Sequence, residues 1–298
     1  MAPQPDALSV RRDDISAVLV SYYPDHRLRE HIEAALSHVG SLLVVDNTPG
    51  EPTGPVQDVE GVPGVDVHRF GSNRGVGAAL NAGLEHARRQ GHEWLLTLDQ
   101  DTLLSSEWPL AVDEGYRAGG EGTAVVGVGF HNPLRTDTPT TSGLGADEVD
   151  RVITSGSLWS ISALDAVGGF REDFFVDAID HEACFRLRAR GYLVMRSRRA
   201  VMDHEMGPLQ PVAVFGKTYG SSGYSALRYY YIFRNFVETA RIHGRNEPAW
   251  LHEDAQWLWW MVKSAVANRS LKKLGAIARG TADGLLRRFE SVPQFLLD

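Results

Sequence analysis

Residues 15–21 read ISAVLVS, an almost uninterrupted apolar and β-branched run. A strand without polar alternation is one buried on both faces, so it belongs in a parallel sheet covered by helices on either side. The residues that follow agree. Pro24 and Asp25 offer a break and an N-cap, and Leu28, Ile32 and Leu36 recur every four residues, the spacing of a single apolar helix stripe. Leu42–Val45 predicts a second strand ending at Asp46 and Asn47, the Pro/Gly-rich stretch 49–64 a loop, and Val65–Phe70 a short strand. Gly75–Gln90 then predicts a helix, and Trp94–Leu98 a strand ending at Asp99. Right-handed crossovers and a mostly parallel sheet follow from that order.

In such sheets ligands collect beyond the carboxyl ends of the strands, which here carry Ser21-Tyr22, Asp46-Asn47 and Asp99-Gln100-Asp101. The second half is less regular. Ala124–Phe130 and Val152–Ser160 read as strands, 131–150 as a Gly/Thr/Asp-rich loop, and Asp180–Arg190 as a helix stopped by Gly191. From Ser222 onward the chain reads as helical and aromatic.

Composition narrows the function classes. The 298 residues suffice for one large domain or two modest ones, and 30 Lys and Arg against 38 Asp and Glu leave a net charge of −8, which argues against nucleic-acid binding. A single cysteine, Cys184, excludes an intrachain disulfide and a multi-cysteine zinc site and fits a cytoplasmic setting; its helix predicts inert burial. The polar N-terminus lacks a signal peptide's apolar core, and the longest apolar run, Trp257–Val262, is too short to span a bilayer.

The sharpest chemical feature is LLTLDQDT, residues 95–102, where an apolar strand runs into two aspartates one residue apart. Crowded carboxylates at a strand end repel unless a cation neutralises them, and hard oxygen ligands favour Mg²⁺ or Mn²⁺ bridged to a phosphate; the alternative is an ordinary acidic loop. A haloacid-dehalogenase reading fails, because the position two after Asp101 is Leu103. In FGSNRGVGAALNAGLEHA, Gly75 and Gly77 have the first spacing of a dinucleotide fingerprint, but Leu80 stands where its third glycine belongs. Such a helix start either approaches a phosphate through its backbone amides or is a tight turn with no ligand.

Together these parts resemble a known family. VLVSYYP, VVDN, the N-R-G-x-G-x-x-x-N of Asn73–Asn81 and LDQD occur in the order seen in family 2 GT-A glycosyltransferases. With SGSLWS, VGGFREDFFVDAIDHEACFRLRARGY and RYYYIFRN added, the chain is similar to their bacterial rhamnosyltransferase branch over residues 15 to about 240. The resemblance implies an α/β GT-A fold, Rossmann-like, with a mostly parallel sheet flanked by helices. It implies a flexible tail at 1–13, a catalytic domain at 14–210 with its nucleotide-sugar half at 14–102 and acceptor half at 103–210, and a helical C-terminal extension at 211–298.

Carried over by position, Ser21, Tyr22 and Asp46 would line the nucleoside pocket, and Asn73, Gly75 and Asn81 would help hold the sugar nucleotide. Asp99 would face the ribose or sugar, while Asp101, with His204 of an H-x-x-G segment closed by Gly207, would ligate Mg²⁺ or Mn²⁺. Asp180 matches the family's base when Arg186 is aligned with the arginine closing its E-D motif, although Ile179 stands where a glutamate is frequent. Asp177 adds an acceptor-side carboxylate one turn earlier, Trp159 a ring that stacks on an acceptor sugar or belongs to the core, and Arg234 a partner for phosphate oxygens. The implied reaction is metal-dependent, inverting transfer of L-rhamnose from dTDP-rhamnose to a cell-surface glycan or lipid-linked acceptor. The alternatives are UDP-galactofuranose or UDP-N-acetylglucosamine as donor, or a catalytically silent sugar-nucleotide binder, which the altered E-D motif suggests.

Charge is uneven along the chain. Lys263–Arg288 holds seven basic residues and one acidic residue, directly after a helix bearing Trp250, Trp257, Trp259 and Trp260. Tryptophans beside lysines predict either peripheral contact with the inner face of the plasma membrane, or helices packed on the catalytic domain or across a homodimer.

Overall fold

The computed structural model describes residues 9–52, 54–131, 143–204, 209–214, 217–290 and 292–296. The first hundred residues fold as their pattern predicts. Strands β1 (Ile15–Ser21), β2 (Ser41–Asp46), β3 (Val65–Arg69) and β4 (Trp94–Asp99) are parallel, in the order β3-β2-β1-β4. Between them run α1 (Leu28–Leu36), the short α2 (Gly54–Gln57) and α3 (Val76–Gln90). All seven residues of β1 are buried, and alternate ones serve opposite layers. Val18 and Val20 pack with Leu80 and Leu84 of α3, whereas Ala17 and Leu19 pack with Leu28 and Ile32 of α1. Each such aliphatic side chain contributes roughly 1.5–3 kcal/mol by leaving water, so covering both faces is what holds this half together.

The second half comprises β5 (Thr102–Leu104), α4 (Trp108–Gly119), β6 (Thr123–His131), β7 (Ala146–Glu148), β8 (Ser157–Ser160), α5 (Ile161–Val167), α6 (Ile179–Ala189) and β9 (Leu193–His204). The sheet continues from β4 as β8-β6-β9-β5, with β7 also paired to β9. Here the mostly parallel expectation is corrected to a mixed sheet. β8 lies antiparallel between β4 and β6, and β5 and β7 run antiparallel to β9, leaving β6 with β9 as the parallel pair of this half. An antiparallel neighbour needs no crossover helix, and β5 and β8 each follow a turn. The predicted strand Val152–Ser160 is shortened for a related reason: Gly156 N–H and the Thr97 hydroxyl draw residues 154–156 into a turn on β4 before pairing begins.

Part of the expected tail has contacts. Val10 is buried in the core and Ser9 N–H donates to Asp113, so residues 9 and 10 pack on the domain. After β9 comes a hairpin, β10 (Leu209–Val214) and β11 (Lys217–Ser222), and then α7 (Ala226–His243), α8 (Pro248–Ala267) and α9 (Leu271–Leu285). Helices α7 and α9 run in the same direction in close contact. A Cβ on Gly280 would meet Tyr230 O at 2.3 Å, and one on Gly284 would meet Arg234 O at 2.7 Å.

Candidate active site

The parallel register brings three strand ends together. Ser21 pairs with Asp46 and Val20 with Asp99, so Tyr22, Asn47 and Gln100 form one rim. Asp46 is buried, and its Oδ1 accepts from Ser21 Oγ at 3.2 Å and Thr48 N–H at 3.0 Å. Tyr22 stands 46% exposed, its N–H donating to Gln100.

The N-R-G-x-G segment does structural work. Asn47 accepts from Arg74 N–H and donates to Gly75 O, while Asn73 accepts the Gly75 N–H at 3.0 Å. Gly75 has φ +85°, and a Cβ there would sit 2.6 Å from Phe175 O; the same carbonyl accepts the Val76 N–H. The first amide of α3 therefore meets the 171–175 loop, and Gly75 is fixed by that packing. Gly75→Ala combines forbidden φ with a clash and is expected to cost about 2 kcal/mol or more of folding stability. A lowered denaturant midpoint at unchanged slope checks this. Asn81 is held likewise: its amide accepts Phe170 N–H and donates to Phe170 O and Glu172.

A second cluster forms where β4 meets β5 and β9. Thr102 pairs with His204 across the antiparallel register, bringing His204 Nδ1 to 3.2 Å from Asp101 Oδ1 and 3.3 Å from Thr102 Oγ1. Asp101 Oδ1 is buried and takes no aligned protein hydrogen bond. Asp99, Asp101 and His204 each present one ligand atom, all within 4.8 Å of one another. Burial pushes Asp99's carboxyl up, a rise that neighbouring Asp101 and Asp180 reinforce and His204 and the Ser155 hydroxyl oppose. An orphaned buried oxygen among two carboxylates and an imidazole is a donor set that fits a hard divalent cation.

Asp180 lies in the first turn of α6 and is tied to this cluster through the 154–155 turn. Thr154 N–H donates to Asp180 Oδ2 at 3.2 Å, and Ser155 Oγ donates to Asp99. Asp180 Oδ1 accepts His181 N–H at 2.8 Å, so the carboxylate is oriented by two backbone amides. Asp177 is engaged differently: Arg228, at the start of α7, grips both its oxygens at 2.8–3.2 Å and stacks 4.0 Å over the Tyr224 ring. Asp177, expected as an acceptor-side carboxylate, is thus held as the partner of Arg228.

Two further expectations are corrected by burial. Trp159 is fully buried, its indole N–H on Thr97 and its ring against Phe170, so it is core. Arg234 is 1% exposed and donates to the carbonyls of Asp173 and Phe174 and to Asn235, so no phosphate reaches it. The arginine of RYYYIFRN that borders the site is Arg228, six residues earlier and so on another side of the helix. Cys184 is buried in α6, and burial pushes its thiol far up. Ser155, Thr154 and Arg228 lie in or beside the SGSLWS and RYYYIFRN motifs without a chemical signature of their own; helix phase after the Ser225 N-cap is the signal that separates Arg228 from Arg234. Gly207 lies outside the described residues.

Known proteins resemble this chain in sequence and fold. Residues 16–158 fit the profile described as Glycosyl transferase family 2. A curated relative, dTDP-rhamnosyl transferase RfbF of Shigella flexneri, is 26% identical over 239 residues, covering 74% of this chain and 78% of its own. Among solved structures, the mannosyltransferase PcManGT from Pyrobaculum calidifontis, in complex with GDP-Man and Mn²⁺, superposes with a TM-score of 0.58 at 14% identity over 95% of this chain and 92% of that one. TarS of S. aureus gives a TM-score of 0.52 at 14% identity over 75% of this chain; the match spans 39% of that chain. These likenesses show the GT-A fold.

Proposed function

We propose, from the match of residues 16–158 to the glycosyl transferase family 2 profile, that this chain is a metal-dependent, inverting rhamnosyltransferase. In this reading it moves L-rhamnose from dTDP-β-L-rhamnose to a hydroxyl of a glycan or lipid-linked acceptor. The observation that carries it is the meeting of Asp99, Asp101 and His204 with Asp180 across one turn. The name of the Shigella flexneri relative supports the donor.

Asp101 and His204 would hold Mg²⁺ or Mn²⁺ beside Asp99. A divalent ion bound there neutralises charge on the diphosphate of the donor. At the β1–β2 rim, Ser21 and Thr48 orient Asp46 through Oδ1, leaving Oδ2 for the N3–H of a pyrimidine, with Tyr22 beside it and Asn73 holding the adjoining turn. Asp180 takes the proton of the acceptor hydroxyl. As that oxygen bonds to the anomeric carbon from the opposite face, the bond from carbon to the diphosphate oxygen breaks and dTDP leaves with the electron pair, inverting the centre.

Release of dTDP from dTDP-rhamnose is expected only with a divalent ion present. Asp101→Ala is expected to lower turnover about 10²–10³-fold, the scale of losing one preorganised electrostatic contact. Preferred turnover of UDP-galactofuranose or UDP-N-acetylglucosamine would move the assignment to another donor on this scaffold. Binding without turnover of any donor would leave a sugar-nucleotide binder and sink the enzyme reading.

A further inference from the structure

The face of α8 opposite its buried Leu258, Met261 and Ala265 carries Trp259 and Trp260, 58% and 40% exposed. Lys263 lies between them, its Nζ 5.3 and 4.2 Å from the two ring centroids. Val266 continues this face, and Leu271, 82% exposed, opens α9 immediately beyond. Adjacent large apolar side chains left in water mark a contact surface.

Charge decides the occupant. Of the eight charged residues in Lys263–Arg288, seven are basic, and the one acid, Asp283, is buried and holds Arg279 Nε and the Tyr230 hydroxyl. The acids of α8, Glu253 and Asp254, lie about two turns before the tryptophans and meet Arg151. A second copy of the same face would set like charges against one another, and lysine is depleted from the cores of protein interfaces. An anionic bilayer attracts the basic residues of this segment that no acid among the described residues pairs, and its headgroup boundary is where tryptophan and lysine are both favourable. We propose that the Trp259–Trp260–Lys263–Leu271 surface docks on an anionic lipid bilayer.

Docking has a direction. Because α7 and α9 run the same way, the Leu271 end of α9 lies beside the start of α7, with Lys273 Nζ 4.7 Å from the Tyr229 ring centroid. Tyr229 adjoins Arg228, which holds Asp177 at the candidate site. The bilayer thus meets the end of the helical layer that borders the catalytic carboxylates, where a lipid-linked acceptor would arrive. The benefit to catalysis rests on the proposed function; the docking itself does not.

Flotation of the full chain with phosphatidylcholine vesicles containing about one third phosphatidylglycerol tests this, since each basic residue near such a surface adds roughly fivefold to binding. The chain is expected to float with these vesicles at low salt, and to stay behind at high salt or with phosphatidylcholine alone. The triple variant W259S/W260S/K263E is expected to lose at least tenfold in partition, with circular dichroism and dTDP release unchanged. Failure of the wild type to float at low salt, or flotation of the variant equal to wild type, overturns the proposal. So does a solution dimer that the same three substitutions dissolve, which would give the face to a second copy. Intact flotation without any sugar transfer would refute the enzymatic reading alone.

Discussion

Asp180→Asn is expected to lower kcat about 10²–10⁴-fold, the range supplied by a positioned general base, while donor affinity changes only a few-fold. The substitution keeps the side chain's size but replaces a proton-accepting carboxylate by an amide. Asp180 is oriented by Thr154 N–H and His181 N–H, one on each oxygen, so the amide nitrogen must face one donor and loses that hydrogen bond. The stability cost at this first-turn position is on the order of 1 kcal/mol, too small to explain a large loss of turnover. Single-turnover rates beside calorimetric titration of the donor separate the effects. Undiminished turnover in Asp180→Asn would remove Asp180 as the base, and the Arg228-forked Asp177 could not replace it without breaking that pair.

The second large effect lies away from the chemistry, at Asn235. This fully buried amide donates at 2.9 Å to the carbonyls of Phe174, Val176 and Asp177 and accepts from Arg234. The loop it grips is strained: Phe175, Asp177 and Ala178 have φ of 65°, 66° and 62°. Residues in this region persist only where their surroundings over-determine them. Asn235→Ala takes this donor from the Val176 and Asp177 carbonyls, leaves Phe174 O to Arg234 and Val176 N–H, and frees the loop leading into Asp180, at a cost of about 2–4 kcal/mol. The melting temperature is expected to fall roughly 5–10 °C, and kcat to fall with it at temperatures where the variant is still folded. Asn235→Asp, equal in size but unable to donate, should fail in the same way. A wild-type melting curve for either variant would show that the loop holds itself.

These two predictions divide what was legible from what was not. Asp180 could be chosen from the motif, because the carboxylate sits in a recognisable sequence neighbourhood. Asn235 and Arg234 occupy an equally recognisable motif, yet their roles were hidden: a polar pair on an aromatic helix reads as ligand-binding until the carbonyls it satisfies are seen, some 60 residues back in the chain. Trp159 posed the same problem, since a ring in a strand stacks on sugar or fills a core according to which face is covered.

By itself the sequence determined the parallel first half of the sheet, the placement of Asp46 and Asp99 at its carboxyl edge and the ordered motifs of the family. All of these depend on periodicity and turn chemistry that act over a few residues. Only the tertiary structure decided that His204 meets Asp101, that Ser155 and Thr154 join Asp99 to Asp180, and that Gly75 and Asn81 brace the 170–175 loop. It also set Arg234 inward and left Trp259 and Trp260 outward. Those outcomes depend on which distant elements supply the neighbouring atoms, and burial and hydrogen-bond satisfaction become defined only once the helices and strands have packed.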